Sequence, residues 1–516
     1  MSKPFYITTP LYYVNAKPHI GHAYTTVLCD AFARFERFMG ERDVFFMTGT
    51  DEHGEKIAEA AAESGQENQA FVDGIVPHFK SLWQSLGISY DYFIRTTDMQ
   101  HKEIVQTILR DLVKKGDIYK GEYKGWYCTP CESFWTQSQL VENKCPDCQR
   151  DVTEIIEHNY FFKLAKYQDF LLQYFKEHAG FVIPKSKSNE VVSFLQNPLE
   201  DLCITRPKAR LSWGIPFPDD EEYVVYVWFD ALINYISGVH YSKDEKKFKQ
   251  LWPADVHMIG KDILRQHAVY WPIMLKAIGV DMPKVIVAHG WWTIQGAKMS
   301  KSRKNIVDPV ELVKIYGVDP IRYYLLNEVI LGNDGAYSED LLIQKYNTDL
   351  ANDLGNLMHR VFAMLKKYYQ GEVPKHYVKK DAELPALMTS MIQEVSDALR
   401  QKMNPQDATG AIWKRVRRLN QFVEETKPWT LAKDEKQKPA LANFMYTCLE
   451  SLRMIGCLLY PFLPSTSDKM RALLKVADQP MNASSQIWGQ LSEGVVLEPG
   501  EPLFPRLEVE ESTDQA

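Results

Sequence analysis

Short apolar segments alternate with amphipathic segments in the first part of the chain, and this alternation limits the possible folds most. Phe5–Thr9 predicts a buried strand, and apolar residues at helical spacing predict a helix from near His22 to Met39. Val44–Met47 predicts a second strand that is buried on both faces. Strands joined by helices predict an open parallel sheet, and the polar segment Thr48–Gly54 follows a strand, where such sheets bind ligands.

The alternation is interrupted once and then ends. From about Gly116 the sequence is rich in aromatic residues, glycine and cysteine, as expected for an insertion. Alternation resumes at Tyr223–Trp228 and continues through 256–260 and 285–288, whereas the pattern after about Tyr346 is helical. The chain has 516 residues, which is enough for several domains. We therefore predict an α/β parallel-sheet domain split by an insertion and followed by an α-helical domain.

Charge and composition exclude several classes of protein. The chain has 60 Lys and Arg against 67 Asp and Glu, a formal net charge of −7, so any contact with nucleic acid needs local basic patches. No run approaches the ~20 apolar residues of a membrane helix. The chain opens directly into Phe5–Thr9 without a secretory leader, and eight cysteines in so long a chain are no disulfide framework. These features predict a cytoplasmic protein without a membrane partner.

The tetrapeptide His19-Ile20-Gly21-His22 lies between the first predicted strand and helix. Two histidines three residues apart at a helix start point to one side, toward the backbone N–H groups and the positive end of the dipole, which favour phosphate. Gly21 would let a ribose or a base approach the backbone. The alternative is a pair of surface histidines that cap the helix, and the tetrapeptide alone does not decide between the two.

A second motif, Lys298-Met299-Ser300-Lys301-Ser302, follows the last predicted strand. Two lysines with interleaved hydroxyls suit a leaving pyrophosphate, because its negative charge grows as the bond breaks. Most charge runs are solvated loops, but both motifs in this order and in this strand and helix context rarely occur together by chance.

With these two motifs the sequence resembles the class I aminoacyl-tRNA synthetases. The resemblance implies a Rossmann-type catalytic domain that activates an amino acid with ATP to an aminoacyl-adenylate and then transfers it to the terminal ribose of tRNA. It implies that His19 and His22 contact the ATP phosphates in the transition state, and that Lys298 and Lys301 act on the β- and γ-phosphates while Mg2+ accompanies the nucleotide. The implied ATP site comprises His19, Gly21, His22, Asp262, Lys298, Met299, Ser300, Lys301 and Ser302. His289 is expected to face the nucleotide.

Four cysteines form two pairs, Cys128-Thr-Pro-Cys131 and Cys145-Pro-Asp-Cys148. Each CxxC pair presents two thiolates from one tight turn, and two such knuckles complete a tetrahedral four-cysteine zinc site. A redox pair is the alternative, but two CxxC units with a proline in each favour zinc. Four thiolates leave no open coordination position, so we predict one structural Zn2+ per chain.

Three segments bring aromatic residues to predicted strand ends: Thr9–Asn15, Tyr226–Tyr235 and Gly260–His267. Aromatic walls suit a thioether, although such aromatics often only pack in a core. Together with Thr48–Gly54 these segments resemble the bacterial methionyl-tRNA synthetases. The resemblance makes Asp51 the partner of the substrate ammonium, which physical reasoning also requires of some carboxylate. It assigns the methionine side chain to Leu11, Tyr13, Trp228, Ala231, Leu232, Tyr235, Ile263 and His267.

The helical part carries polar and aromatic residues that suit RNA. Asn352, Asn356 and Arg360 share one face at helical spacing and could bind base edges. The basic run 413–420 adds charge, although such runs are more often solvated faces, and Trp429 after Pro428 offers a platform for an unpaired base. The resemblance assigns recognition of the CAU anticodon to Asn356, Arg360, Asn420 and Trp429.

The resemblance covers essentially the whole chain and implies its division. The expected segments are 1–115 and 223–290 for the two halves of the catalytic domain, 116–222 for a connective insertion with the zinc knuckle, 291–345 for the Lys298 motif and a stem-contact region, and 346–516 for the anticodon-binding domain. Two departures from the longest family members are a single zinc-knuckle pair and no room after about residue 510 for a dimerising domain. We therefore expect a monomer.

The implied activity is ATP-dependent activation of L-methionine to methionyl-adenylate and transfer to the 3′ end of initiator and elongator tRNA(Met). One alternative is a class I synthetase for another apolar or sulfur-containing amino acid; the aromatic segments and the absence of a large editing insertion argue against leucine, isoleucine or valine. The other is an RNA-binding paralogue without catalysis, against which both intact motifs argue.

Overall fold

The structure is a computed structural model that describes residues 3–135, 137–294, 297–298, 307–376 and 382–508. It divides into two compact units. The first comprises Met1–Cys29, Asp43–Gln84 and Ile88–Trp291, and the second comprises Asp30–Arg42, Ser85–Gly87 and Trp292–Ala516.

The strands and helices alternate first and then give way to helices. The strands are β1 (Phe5–Thr8), β2 (Tyr12–Tyr13), β3 (Val44–Asp51), β4 (Tyr92–Arg95), β5 (Ile118–Cys128), β6 (Ser133–Trp135), β7 (Thr153–Phe162), β8 (Val182–Ile183), β9 (Leu202–Cys203), β10 (Thr205–Pro207), β11 (Tyr223–Val225), β12 (Val256–Gly260), β13 (Val285–His289), β14 (Trp292–Ile294), β15 (Ala297–Lys298) and β16 (Gly335–Ala336). The α-helices are α1 (Ile20–Met39), α2 (Glu55–Glu63), α3 (Asn68–Ser85), α4 (Met99–Lys114), α5 (Gln168–Glu177), α6 (Lys185–Leu195), α7 (Val227–Leu232), α8 (Asn234–Ser237), α9 (Glu245–Leu251), α10 (Trp271–Ile278), α11 (Pro309–Tyr316), α12 (Val318–Asn327), α13 (Glu339–Lys345), α14 (Asn356–Tyr369), α15 (Glu383–Thr389), α16 (Met391–Ser396), α17 (Pro405–Thr426), α18 (Pro428–Leu431), α19 (Lys438–Leu458) and α20 (Pro464–Leu473). Segments of π-helix occur at Gln266–Tyr270, Tyr346–Gly355 and Asp397–Gln401, and 3-10 helices at Thr129–Cys131, Gln137–Gln139, Ala165–Tyr167, Lys261–Ile263, Glu435–Gln437 and Ala483–Gln486.

A seven-stranded parallel sheet forms the centre of the first unit. Its order is β2-β3-β1-β12-β13-β8, with β4 also paired to β3, and every pair is parallel. Because β1 lies between β3 and β12, the sheet order reverses there, and the crevice outside the carboxyl ends of these strands is where open α/β sheets bind ligands. The predicted α/β parallel-sheet class is confirmed.

Strand β3 is longer than the apolar run Val44–Met47 indicates. It continues through Thr48–Asp51, because β2 and β4 pair with these residues on its two edges. A Cβ at Gly49 would lie 2.1 Å from the carbonyl oxygen of Ile94, so only glycine fits this close approach. The extension carries Asp51 to the carboxyl end of the sheet.

The strand that the resumed alternation predicts at Tyr223–Trp228 forms only over Tyr223–Val225 and does not belong to the parallel sheet. Tyr223–Val225 pairs antiparallel with β10 in a separate ribbon, and helix α7 begins at Val227. Most of α7 is buried, so its sequence is apolar for the same reason that a buried strand would be. A short apolar run does not distinguish the two by periodicity.

The segment 116–222 contributes to three sheets, one of which is the ribbon of β10 and β11. Strands β5 and β7 form a long antiparallel pair in a sheet of order β6-β5-β7-β9, with a small core around Cys128, Trp135 and Cys145. Strand β8 instead pairs with β13 in the parallel sheet.

The second unit is mainly helical. In the described chain from α13 onward, all regular elements are helices, which confirms the predicted helical region. Its longest helices, α17 and α19, bury most of their apolar side chains. Arg322 is fully buried and pairs with Asp30 at 2.7 Å. None of the helices in the described ranges combines the length and apolar character of a membrane span.

Candidate active site

His19 and His22 lie at the first turn of α1 with fixed ring orientations. The Nδ1 of His19 accepts a hydrogen bond from the backbone N–H of Gly21 at 3.0 Å, and the Nδ1 of His22 accepts one from the backbone N–H of His19 at 3.1 Å. Because both Nδ1 atoms are acceptors, Nε2 carries the proton in each neutral ring. The ring centroids are 4.0 Å apart. Two such donors beside a helix N-terminus suit a polyphosphate.

The position of the His19 ring requires a glycine at position 21. A Cβ at this position would lie 2.9 Å from Cε1 and 3.1 Å from Nδ1 of the His19 ring. The sequence predicted that the missing side chain of Gly21 leaves room for a ribose or a base. In the structure it also leaves room for the His19 imidazole to pack against the start of the helix.

Two further predicted nucleotide residues lie at the carboxyl ends of β12 and β13. The Nε2 of His289 lies 2.7 Å from Oγ1 of Thr25, and its Nδ1 lies 2.7 Å from the carbonyl oxygen of Gly290. A carbonyl only accepts, so Nδ1 donates and Nε2 accepts from Thr25. Burial lowers the pKa of His289. Asp262 is exposed in the 3-10 helix after β12, and its Oδ1 would be 2.6 Å from a Cβ at Gly260.

Most of the second motif, namely Met299, Ser300, Lys301 and Ser302, lies outside the described residues. The backbone of Lys298 is described, in strand β15, which pairs antiparallel with β14 in the second unit. The phosphate role of this motif stays a prediction.

The two acidic residues at the end of β3 have opposite environments. Glu52 accepts hydrogen bonds from Arg95 at 2.7 and 2.8 Å and from the hydroxyls of Thr50 and Thr97. Asp51 is also buried, but among the described residues its Oδ1 has no hydrogen-bond partner. Burial raises the pKa of Asp51 well above its usual value, and the negative charges of Asp230 and Glu132 raise it further. A cation at Oδ1 would relieve this cost.

The predicted methionine residues Tyr235, Ile263 and His267 are joined by hydrogen bonds. The Nδ1 of His267 lies 2.9 Å from the carbonyl oxygen of Ile263, and its Nε2 lies 2.7 Å from the hydroxyl of Tyr235. Nδ1 must therefore donate, and Nε2 accepts from Tyr235. Burial lowers the pKa of His267 to about 4, so the ring is neutral at physiological pH. The ring sits on the π-helix Gln266–Tyr270, a local widening that is frequent at functional sites.

The remaining predicted pocket residues come from two segments. Helix α7 carries Trp228, which meets the His267 ring edge-on at 6.4 Å, together with the buried Ala231 and Leu232. Leu11 is partly buried against the main core. The hydroxyl of Tyr13 donates to Glu132 at 2.5 Å. The structure thus places four of the eight predicted methionine residues on α7 and the π-helix, whose residues contact each other.

Glu132 is a site residue that sequence reasoning missed. It directly follows Cys131, has φ of 51°, and is buried. Its carboxylate accepts from Tyr13 and from the backbone N–H of Lys56 at 3.1 Å, and its carbonyl oxygen accepts from the hydroxyl of Tyr226 at 2.7 Å. The cysteine knuckle is thereby connected to the residues beside Asp51. A Glu after a CxxC pair was the only local signal.

The four predicted metal ligands converge. The Sγ atoms of Cys128, Cys131, Cys145 and Cys148 all lie within 4.8 Å of one another. Two of these separations are 3.5 and 4.0 Å, close to the about 3.8 Å expected for thiolates at Zn–S bonds of about 2.3 Å in a tetrahedron. The four cysteines form no disulfide and therefore could bind one metal ion.

The predicted RNA-binding residues lie in the second unit. Asn356 is exposed at the start of α14, and Arg360 one turn later pairs with Glu424 at 2.5 Å. Asn420 donates to the carbonyl oxygens of Asp353 and Val416, at 2.9 and 3.3 Å. The segment before Asn356 is π-helix, so the 3.6-residue spacing that grouped Asn352 with it does not apply.

Trp429 and the basic run differ in exposure. Trp429 is 41% exposed, directly after the buried Pro428. Trp413 and Arg415 are buried, and Arg415 pairs with Glu394. Arg417 and Arg418 also have acidic partners. The run at 413–420 is therefore largely neutralised within the protein.

Comparisons with known proteins agree over nearly the whole chain. A family model described as tRNA synthetases class I (M) matches residues 5–156 and 150–362, and one described as the anticodon binding domain of methionyl tRNA ligase matches residues 370–516. The methionine–tRNA ligase of Caldanaerobacter subterraneus subsp. tengcongensis is 50% identical over 513 residues, covering 99% of this chain and 80% of the relative. That of Thermotoga maritima is 44% identical, covering 98% of this chain and 81% of the relative.

Solved structures give the same result. Mycobacterium tuberculosis methionyl-tRNA synthetase in complex with methionyl-adenylate matches with a TM-score of 0.93 and 40% identity, covering 98% of this chain and 100% of that one. The apo form of the same synthetase matches with a TM-score of 0.87 and 36% identity, covering 99% of each chain.

Proposed function

This chain belongs to the class I tRNA synthetases for methionine, and on that premise we propose which of its residues carry each step of the reaction. The activity is ATP-dependent ligation of L-methionine to tRNA(Met), by way of methionyl-adenylate. The methionine carboxylate attacks the α-phosphorus of ATP and pyrophosphate leaves. No protein nucleophile takes part, so positioning and stabilisation of charge supply the acceleration.

The observation that carries the assignment of the amino-acid site is that the buried Oδ1 of Asp51 has no hydrogen-bond partner in the described part of the chain. The substrate ammonium binds there, because a buried carboxylate without a counter-charge is costly. The neighbouring Glu52 already has Arg95 as its partner, so it is not available for this role. The pocket built by Tyr235, His267 and Trp228, together with Leu11, Tyr13, Ala231, Leu232 and Ile263, holds the thioether, which gains contact with aromatic faces.

The nucleotide lies at the first turn of α1. His19 and His22 donate from Nε2 to the phosphates. His289, the last residue of β13, and Asp262, just after β12, lie on the side where the ribose is expected. Gly21, Met299, Ser300 and Ser302 complete the proposed ATP site, and Lys298 and Lys301 neutralise the β- and γ-phosphates as pyrophosphate leaves. Mg2+ bound with ATP supplies further neutralisation of the phosphate charge.

The metal at the four cysteines is Zn2+ with a structural role. Support comes from the sulfur donor set, the Sγ separations and the absence of any fifth group in the cluster of described ligands. The ion holds Cys131, and hence Glu132, in place.

The anticodon CAU is recognised by Asn356, Arg360, Asn420 and Trp429. The exposure of Trp429 supports stacking of an unpaired base. Both initiator and elongator tRNA(Met) share this anticodon and are substrates. We further propose a monomer in the cytoplasm; light scattering of the purified protein tests the monomer and fractionation of cells tests the location.

The experiment that tests the proposed function is exchange of labelled pyrophosphate into ATP with each amino acid in turn. We expect methionine to support exchange far better than leucine, isoleucine or valine. Strong exchange with leucine and none with methionine would contradict the amino-acid assignment, and no exchange with any amino acid would indicate an RNA-binding protein without catalysis.

A further inference from the structure

Three buried side chains beside Asp51, none of them assigned to substrate, form one hydrogen-bonded cluster. The Nδ1 of His53 lies 2.6 Å from Oδ2 of Asp230, and the Nε2 of His101 lies 2.7 Å from Oδ1 of the same carboxylate. The side chains are 0 or 1% exposed. We call His53, Asp230 and His101 the Asp230 cluster.

The cluster joins three separate parts of the first unit. His53 belongs to the segment that follows β3, two residues after Asp51. His101 lies in α4, where its Nδ1 is 2.7 Å from Oγ of Ser237 in α8. Asp230 lies in α7, between the predicted pocket residues Trp228 and Ala231. A change in the cluster therefore acts on the ammonium site and on the pocket helix together.

The direction of each hydrogen bond in the cluster follows from the charge of Asp230. Burial alone would raise the pKa of Asp230, but the charges and hydrogen bonds of His53 and His101 outweigh it and lower that pKa. An ionised carboxylate only accepts, so Nδ1 of His53 and Nε2 of His101 must both carry protons.

The link from the cluster to Asp51 is the backbone of His53. Its N–H interacts with the Asp51 carboxylate and lowers the pKa of Asp51, against the effect of burial, while Oδ1 of Asp51 has no hydrogen-bond partner among the described residues. The segment is held on its other side as well, since the indole N–H of Trp213 donates to the carbonyl oxygen of Glu52 at 2.6 Å. The His53 ring packs against the same indole at 5.2 Å.

We propose that the Asp230 cluster positions Asp51 for the substrate ammonium: Asp230 fixes the ring of His53, and the backbone of His53 then holds one side of the Asp51 carboxylate so that Oδ1 faces the cation. His53, Asp230 and His101 are positioning residues and touch no substrate. The inference rests on the proposed role of Asp51.

A cluster that only stabilised the fold would weaken all ligands alike. The test therefore compares two ligands that differ only in the ammonium: L-methioninol and 4-(methylthio)butan-1-ol. Both are measured as inhibitors of methionine-dependent pyrophosphate exchange, and the ratio of their inhibition constants is the readout. We expect the wild-type enzyme to bind methioninol more tightly by about ten- to a hundredfold, as for hydrogen bonds to charged groups.

Histidine has two amide mimics, and they give matched variants. In His53→Asn the side-chain N–H can occupy the place of Nδ1 and keep the bond to Asp230, whereas in His53→Gln it is displaced toward the place of Nε2. For His101 the order reverses, because Nε2 makes the bond: His101→Gln keeps it and His101→Asn loses it. We expect His53→Gln and His101→Asn to reduce the ligand ratio by roughly tenfold, and the two mimics that keep the bond to retain most of it.

Several outcomes overturn the proposal, and they are distinguishable. If His53→Gln and His101→Asn weaken both alcohols by the same factor, the cluster serves the fold and not the ammonium site. If Asp51→Asn removes the preference for methioninol but both His variants keep it, Asp51 works without the cluster. If Asp51→Asn keeps the preference, the ammonium assignment itself is wrong. Should His53→Gln fail to fold, the His101 pair, one residue further from Asp51, decides alone.

Discussion

The amino-acid site of the first unit and the RNA-binding face proposed for the second treat charge in opposite ways. Asp51 is buried with an oxygen that has no partner in the described structure, whereas Arg360, Arg417 and Arg418 are partly exposed and already paired with carboxylates. A buried unbalanced charge is costly until its ligand arrives, so each group there should have a large effect. An exposed arginine that binds RNA only exchanges its carboxylate partner for a phosphate or a base, so a change at any one of these pairs should have a small, salt-dependent effect on RNA binding.

The largest expected effect is that of Asp51→Asn. Loss of the ammonium partner should lower kcat/KM for methionine by about a hundredfold or more and change the KM for ATP little. Because the pKa of Asp51 is raised on folding, the folded state binds its proton more tightly than the unfolded state, so ionisation of Asp51 lowers stability as the pH rises above about 4. The variant removes this penalty and should unfold at an equal or higher urea concentration at pH 7.

The matched control for Asp51→Asn is Glu52→Gln. Glu52 binds Arg95 and two hydroxyls, so this variant should lose stability, with a fall in activity that follows the fraction of folded protein. If Asp51→Asn destabilised the protein as much as Glu52→Gln and kept methionine activation, the contrast between an unbalanced and a balanced carboxylate would be wrong.

The second effect concerns the cysteine knuckle, which reaches the amino-acid site through Glu132. Cys145→Ala should remove one metal ion per chain and lower methionine-dependent exchange by roughly tenfold, because Glu132 then no longer holds Tyr13 and the backbone of Lys56. Metal content is measured by elemental analysis and exchange by the pyrophosphate assay.

Two variants separate the metal from Glu132. Glu132→Gln should keep the metal and still weaken methionine, whereas Cys203→Ala removes a buried thiol outside the cluster and should change neither. Exchange that stays at the wild-type level after the metal is lost would show that the knuckle does not support the amino-acid site.

A feature could be predicted from the sequence where residues close together in the chain determine it, and could not where distant residues determine it. The parallel strands and the convergence of the four cysteines were predictable, because Phe5–Thr9 and the CxxC pairs are local patterns. The helix at Val227 was not, because a short buried run is apolar in either conformation. The role of Glu132 could not be predicted, because its hydrogen-bond partner Tyr13 is 119 positions away in the chain.

Asp51 and Glu52 are consecutive in the sequence and both carry a carboxylate, so residue type alone does not show which one binds the ammonium. The resemblance to a family chose Asp51, but only the structure gives a physical reason, namely that Arg95 already neutralises Glu52. The basic run at 413–420 shows the reverse error. Its charge suggested RNA, yet Arg415 is fully buried against Glu394, since the pattern of one helix does not reveal the acidic residues of its neighbours.

The third effect tests the RNA-binding face by its exposed aromatic side chain. Trp429→Ala should lower kcat/KM for charging of tRNA(Met) by roughly ten- to a hundredfold, because stacking of a base contributes about 1–3 kcal/mol. Exchange of pyrophosphate without tRNA should not change. Ile315→Ala, which removes another exposed apolar side chain of the second unit, is the control and should affect neither reaction. Equal charging by the Trp429 variant and the wild type would contradict the anticodon assignment.

The smallest expected effect is that of Glu424→Gln, which leaves Arg360 without its acidic partner. Glu424 is 60% exposed in this pair, and exposed pairs contribute at most about 1 kcal/mol, so the variant should bind tRNA(Met) only about two- to fivefold more tightly at low salt. The gain should shrink as salt screens the charges. Glu245→Gln removes a more exposed carboxylate, 79% exposed, from a pair in the first unit and controls for net charge. If both variants gained equally, Arg360 would not contact the tRNA. If Glu424→Gln gained a hundredfold, this face would hold an unbalanced charge as costly as that of Asp51, and the contrast between the two regions would fail.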